Sequence, residues 1–315
     1  MEMKRLPFVL VICLAAGGCA KGGTLDIESL RDVDPRGPVP EGYTRFVAQE
    51  TTLAPGEEKI LNEWLSAPMD ADVDILDVRG ETSDHLQRFL LYGTPDTQAV
   101  GTQQPSQDED QVTLGLRFCG GIGEQSPGRL KLPAGVAFRL SKGRSLIANV
   151  HYKNPSAKPL TVRGFVDVKL SVPTPERQPA GRFISLETMI SLPPDAESSL
   201  DVSCKLQSDI GLIAWANHMH ALGVSIYTEV DRAAGGTEVL RNDGVWNSEW
   251  ALDPHFSTFP PAKPFMLYAG DTIRTHCAWN NPGAESVPFP QEMCLGFGFF
   301  VGPKDVTCLA GKWLE

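Results

Sequence analysis

The chain has 315 residues, 42% of them hydrophobic and 21% charged, with a formal net charge of −11. That length suggests two domains of ordinary size. An acidic balance with no basic stripe to displace counterions argues against a nucleic-acid partner. The 25 prolines and 30 glycines lie among short apolar runs, which favours strands and turns over long helices.

Residues 1–19 read as an export signal. Lys4 and Arg5 form a charged head, and Leu6 to Ala16 form an apolar stretch too short for a bilayer, which takes about 20 residues. Ala16-Gly17-Gly18-Cys19 then resembles a bacterial lipobox, with Cys19 as the lipidated first residue of the mature chain. Leu14 sits further upstream than usual. The alternative is an ordinary signal peptide with an incidental cysteine. Each buried acyl methylene contributes about 0.8 kcal/mol, so several chains would hold the protein firmly. By analogy with bacterial sorting, Ala20 suggests the outer membrane. The expectation is a cell-envelope lipoprotein, attached to the membrane by its lipid alone and monomeric.

Export implies an oxidising compartment. Setting aside Cys13 and Cys19 leaves Cys119, Cys204, Cys277, Cys294 and Cys308, an odd number, so at least one remains unpaired.

Residues 20–42 are polar and proline-containing, as expected of a flexible tether. Short strands are predicted from Tyr43 onward: around Val73–Val78, Phe89–Tyr92 (ending at Gly93), Ser145–Tyr152 and Val162–Leu170. Thr94–Gln111, with Asp108-Glu109-Asp110, is expected to be a polar surface loop. Pro173-Thr174-Pro175-Glu176-Arg177 is a stiff connector. Beyond it come Phe183–Leu192, Leu200–Leu206, Gly211–Asn217, Val224–Val230, Asp271–Ala278 and Leu295–Val301, separated by turn signals such as Pro193-Pro194-Asp195. The pattern predicts an all-β chain of two tandem antiparallel β-sandwiches, jelly-roll-like, over 43–172 and 178–311.

The segment with most chemistry in it is His218-Met219-His220, at the end of a predicted strand. On a strand, residues two apart project from one face, so two imidazoles could grip one metal ion. Alone, such a pair is equally two polar residues on an exposed face. Downstream lie His276-Cys277 and Glu292-Met293-Cys294. Joining Cys277 to Cys294 would close a short loop, stabilise by about 3 kcal/mol and fix Met293 in place. A Met293 thioether as third ligand would favour copper over zinc or iron. Otherwise Met293 is a core methionine.

Taken together, these segments resemble the type II copper monooxygenases, the family of peptidylglycine α-hydroxylating and dopamine β-monooxygenases. The similar stretches are Ile190-Ser191-Leu192-Pro193-Pro194, Val202-Ser203-Cys204, the His triplet, Pro254-His255-Phe256, Gly270-Asp271, His276-Cys277 and Glu292-Met293-Cys294, within Tyr43 to Pro303. The resemblance implies that His218, His220 and Met293 hold the oxygen-binding copper. It also implies disulfides Cys204–Cys308 and Cys277–Cys294, with Cys119 left as a free thiol. His255 and His276 match no family ligand and are expected to be structural.

The family's first domain holds a second copper through an adjacent His-His pair and a later His. The later one matches His151, but the pair is replaced by Gln87-Arg88. A guanidinium has no lone pair to offer and carries a fixed charge, so this site is expected to be degenerate. One route remains for a second ion: His85, two residues before Gln87, with His151 and Cys119. The family's carboxylate-clamping Arg is Ala216 here, and its Asn and Tyr after Met-Cys are Leu295 and Phe297. A peptide ending in glycine is therefore not the expected substrate; a small or more apolar molecule is. The resemblance implies C–H hydroxylation with dioxygen and ascorbate or another one-electron donor, at one copper or two. The alternative is a non-catalytic surface protein that captures, delivers or senses a single copper.

Overall fold

A computed structural model describes residues 37–107, 115–128 and 130–314. The signal, Cys19 and most of the tether lie outside the described residues, as does the acidic run Asp108-Glu109-Asp110. Among the described residues the chain is all β, with a single 3-10 turn at Ser248–Ala251.

The first half builds two sheets. One orders the strands Thr44–Val47, Phe165–Ser171, Val73–Arg79 and Val136–Leu140; the other orders Gln103–Pro105, Glu58–Trp64, Ser145–Lys153, Leu86–Thr94 and Arg117–Gly123. Ile75, Phe138 and Val168 from the first meet Phe89, Phe118 and Val150 from the second in one apolar core. The second half repeats the plan. Gln178–Glu187, Cys294–Val301 and Ile210–His218 form one sheet; Ala196–Lys205, Thr272–Asn281, Gly223–Asp231 and Thr237–Asp243 form the facing one. Phe183 and Trp215 pack between them against Val230 and Ile273.

The two halves are not separate beads. Residues Pro40–Glu315 form one compact unit. Gln178 and Pro179 pair in parallel with Val136 and Ala137, so the sheet of one half runs on into the other. The connector at 173–177 marks the passage between them. The shared seam is both apolar and ionic. Phe299 stacks on Phe118 at 5.8 Å and meets Phe138 edge-on at 5.3 Å. Asp305 pairs with Arg117 and accepts the backbone N–H of Phe118 (2.6 Å) and of Arg182 (2.8 Å). The Arg182 guanidinium lies 4.7 Å over the Phe118 ring and donates to Tyr92 Oη at 3.0 Å. Buried charges need such partners, because an uncompensated one costs several kcal/mol.

The strand pair Ile210–His218 and Cys294–Val301 has two unlike faces. Side chains alternate along a strand. Gly296 and Gly298 leave room for the Trp215 indole, which a Cβ at either position would strike. Phe297 and Phe299 take the opposite face, which Phe299 packs against the first half. Sequence Leu295-Gly296-Phe297-Gly298-Phe299 thus writes the geometry directly.

Several strand limits differ from expectation. Leu86–Thr94 continues through Gly93, whose missing Cβ gives space to Leu140. The strand expected over Val162–Leu170 is broken at Gly164, which closely approaches Phe89 and the Tyr152 hydroxyl. Phe183–Leu192 divides into Gln178–Glu187 and Ser191–Leu192. The polar loop after Thr94 contains a short strand, Gln103–Pro105, because Gln103 Nε2 docks on buried Glu63 at 2.8 Å.

Both disulfides implied by the resemblance are present, Cys204–Cys308 spanning 104 residues and Cys277–Cys294 spanning 17, and Cys119 is a buried free thiol. Loop length sets how much a crosslink restricts the unfolded chain. Removing Cys204–Cys308 by paired serine substitution is expected to lower the unfolding free energy by about 4–5 kcal/mol, and removing Cys277–Cys294 by about 3 kcal/mol. Urea denaturation of each variant measures both, and a larger loss from the shorter loop would contradict this ordering.

Candidate metal site

His218 is the last residue of its strand and pairs in register with Leu295. Paired residues share a face, so His218 and Leu295 lie on the side of the sheet that carries Phe297 and Phe299. Met293, just before the strand, packs in one buried cluster with Ala216, Leu295 and Phe297 of that side. The imidazole centroids of His218 and His220 are 5.0 Å apart, with rings nearly perpendicular.

The ring nitrogens are left with little to do. His218 is fully buried, and neither Nδ1 nor Nε2 has a hydrogen-bond partner. His220 donates from Nδ1 to the Gln291 carbonyl at 3.0 Å, which leaves the buried Nε2 with its lone pair and no partner. Tethering one ring nitrogen to a carbonyl is how proteins fix the tautomer of a ligating histidine. An unsatisfied buried polar atom costs about 1–3 kcal/mol, so three in one place call for an occupant. Burial, reinforced by the neighbouring His220 and Arg88, pushes the pKa of His218 down to about 3; Glu124 opposes this. The imidazole is therefore neutral at pH 7 and able to donate its lone pair. Two imidazole nitrogens and one thioether form a donor set that suits copper.

A buried carboxylate holds the arrangement. Glu292, at 1% exposure, accepts the backbone N–H of His220 (3.1 Å), the backbone N–H of Leu222 (2.6 Å) and Trp279 Nε1–H (3.1 Å). It thus clamps the turn after His218 to the segment carrying Met293. Trp246 Nε1 donates to the His220 carbonyl at 2.9 Å from the other side. The Cys277–Cys294 bridge fixes the residue next to Met293. Ile184, Ala216, Leu295 and Phe297 surround Met293 as an apolar floor.

The face bearing the trio looks toward the first half, and the first half answers with Glu124 and Gln125. Gln125 Nε2 lies 3.7 Å from Met293 Sδ. The Glu124 carboxylate accepts from His151 Nδ1 at 3.1 Å and lies 3.6 Å from Arg88 Nη1. Burial works against the Glu124 charge, but the bond and charge of His151, with the charges of His220 and Arg88, hold its carboxyl far below the usual range.

The first-half position expected to be degenerate is occupied by Arg88. Arg88 is completely buried, sits across from His151 in the strand register and donates from Nε to Asn149 Oδ1 at 3.0 Å. His151 reaches Glu58 at 3.4 Å through its other nitrogen. Of the suggested second ligand set, Cys119 does not join His151. His85 precedes its strand, which begins at Leu86 with a bulge before Arg88, and its Nδ1 faces the Lys153 carbonyl at 3.4 Å. Cys119 lies four residues from Gly123, the partner of Arg88, or roughly 13 Å along an extended strand. Its thiol contacts the Arg117 carbonyl, and burial raises its pKa to about 12. Among the described residues, no three His, Cys, Asp or Glu side chains gather as a metal cluster. A site using methionine falls outside that set.

The remaining histidines have other surroundings. His276 lies between Asp201 (2.6 Å) and Glu229 (3.1 Å) and stacks on Tyr227. His255 is exposed against the Trp250 ring. Glu124 and Gln125 carry no signal in the sequence, since nothing local tells that Glu124-Gln125-Ser126-Pro127 reaches the other half. Glu292 stands in the quoted motif, but its role depends on where the His218–Leu222 turn folds.

No family profile and no curated protein matches this sequence. Among solved structures, the chain is similar to the major capsid protein P2 from Bacteriophage PM2, at 8% identity and a TM-score of 0.30, covering 83% of this chain and 98% of that one. It is also similar to PNGF-II, at 8% identity and a TM-score of 0.29, covering 83% and 61%. Likeness at these scores carries no argument about function.

The depressed His218 pKa has a definite sign. The folded value lies below the unfolded value of about 6.5, so the unfolded chain binds the proton first on acidification. The contribution of neutral His218 is fully present above pH 6.5 and is lost as pH falls toward 3. Metal-free protein should lose up to about 1.4 kcal/mol of stability per pH unit in that window relative to His218→Gln. Urea denaturation at several pH values measures this, and parallel curves for the two proteins would refute it.

Proposed function

We propose that this chain is a copper-dependent, monooxygenase-like protein whose metal is held by His218, His220 and Met293. The observation that carries the reading is the group of three buried ring nitrogens without partners in two adjacent imidazoles, with the buried Met293 thioether in the apolar cluster of Leu295, the strand partner of His218. Bound there, copper would supply the activation of dioxygen for hydroxylation of a C–H bond. One oxygen atom enters the product and the other leaves as water, with two electrons and two protons drawn from ascorbate or another external donor. The resemblance to the type II copper monooxygenases supports the same reading.

The chain's own residues define what such a site does. Burial keeps His218 neutral, and the Gln291 carbonyl orients His220 so that its Nε2 faces inward. Glu292 fixes the spacing between the histidine turn and Met293. Ala216, Leu295 and Phe297 offer no charge or hydrogen bond, so recognition of a carboxylate finds no partner on this floor. This supports a small or apolar substrate over a peptide ending in glycine.

A second reading rests on Arg88. Its buried guanidinium, ion-paired with Glu124 beside His151, occupies the position that would otherwise store an electron. A protein with one copper and no internal electron store suits copper capture, delivery or sensing on the envelope surface. In either case attachment would be by the lipid at Cys19.

Purified chain should bind one copper, and Met293→Ile should weaken Cu(I) about tenfold or more while changing Cu(II) far less, as competition with chromophoric chelators measures. Equal weakening of both oxidation states would remove the thioether from the ligand set. Oxygen uptake with ascorbate above the free-copper background separates the enzyme from the binding protein; its absence in the loaded protein favours the second reading.

A further inference from the structure

The site is not built by the second half alone. Gln125 lies just past the end of the strand Arg117–Gly123, and its side chain crosses to the second half, where Nε2 lies 3.7 Å from Met293 Sδ. It is 4% exposed. Its backbone is in the left-handed region at φ 57°, one of only three residues other than glycine with positive φ among the described residues. For a residue with a long side chain that conformation is unfavourable, and it persists where the surroundings over-determine it. Here they do. Gly123, two residues before it, is also left-handed and packs so closely on Gln87 and Arg88 that a Cβ would not fit. Glu124, between them, is anchored by His151 and Arg88. The turn is held from both sides, and its product is an amide aimed at one sulfur.

We propose that Gln125 is a positioning residue for Met293, so that the first half sets the direction of the thioether contributed by the second. Methionine is unbranched with three rotatable bonds and takes many shapes in an apolar pocket. Ile184, Ala216, Leu295 and Phe297 restrict its volume but have no group that selects a direction for the sulfur lone pairs. A donor at Gln125 does. One lone pair is engaged by the amide, which restricts the directions open to the other. The functional meaning of this contact rests on the copper reading above; the contact itself does not.

The test uses Gln125→Asn, which withdraws the amide by one methylene, and Gln125→Gly, which removes it. Both residue types tolerate the left-handed backbone, so the turn is retained. The first measurement needs no metal. With 13C-methyl-labelled methionine, the Met293 methyl signal is assigned by its absence in Met293→Ile, and the exposed Met189 supplies an averaged reference within the same chain. In the wild type the Met293 methyl carbon should lie away from that reference; in both variants it should move toward it. The second measurement is copper competition. Outer partners of metal ligands typically matter by about 10–100-fold, so Cu(I) affinity should fall by about that factor while Cu(II) affinity changes less than about threefold. Unchanged methyl shifts in folded variants would overturn the proposal, as would an unchanged ratio of Cu(I) to Cu(II) affinity. A wild type that takes up no copper, with methyl shifts that still depend on Gln125, would sustain the positioning role and sink the copper reading instead.

Discussion

The two-faced pairing of Ile210–His218 with Cys294–Val301 is the constraint on which the remainder of the molecule depends. On one face, Gly296 and Gly298 yield space to Trp215, which seals the second sandwich. On the other, Phe299 anchors the first half while Phe297, Met293 and the histidines line the adjoining surface. A slip of one residue would exchange these faces. Trp215 would then meet the seam, and both imidazoles would turn into the wrong core. The same register therefore closes a sandwich, joins two halves and assembles the candidate site.

Electrostatics in the seam follow from burial. Arg88, Glu124, Arg182 and His218 are all shielded from water, and each is accommodated differently. Arg182 has an aromatic face and a hydroxyl. Arg88 and Glu124 have each other, with His151 and Asn149 completing the group. His218 escapes the cost of a buried charge by staying neutral. That neutrality is also what a lone-pair donor to a metal requires, so the stability argument and the chemical argument point the same way. In the first half the opposite choice has been made. A permanent cation sits where the resemblance would place a metal, and a carboxylate balances it.

Glu292 and Gln125 contact the candidate site from two directions. Glu292 fixes backbone to backbone within the second half, whereas Gln125 reaches a side chain from outside it. A flexible side chain such as methionine gains most from such support, because its own torsions restrict it least. Placing the site on the seam also ties its geometry to the packing of the two halves.

Much of this was legible in the amino-acid order. Short apolar runs between Pro/Gly turns specified an all-β chain, since period-two burial and turn chemistry are local properties. His218-Met219-His220 after Ile213–Asn217 could be placed on one face for the same reason, and the family resemblance implied both disulfides. The continuation of a strand through Gly93 and the break at Gly164 were not legible, because close approaches across the core decide them. Nor was the distance of Cys119 from His151, which strand register decides. The contribution of Glu124 and Gln125 was equally hidden. Local sequence determines which way a side chain points from its own strand; which distant side chain it meets is decided only when the register of the sheets and the packing of the seam bring residues 168 positions apart into contact.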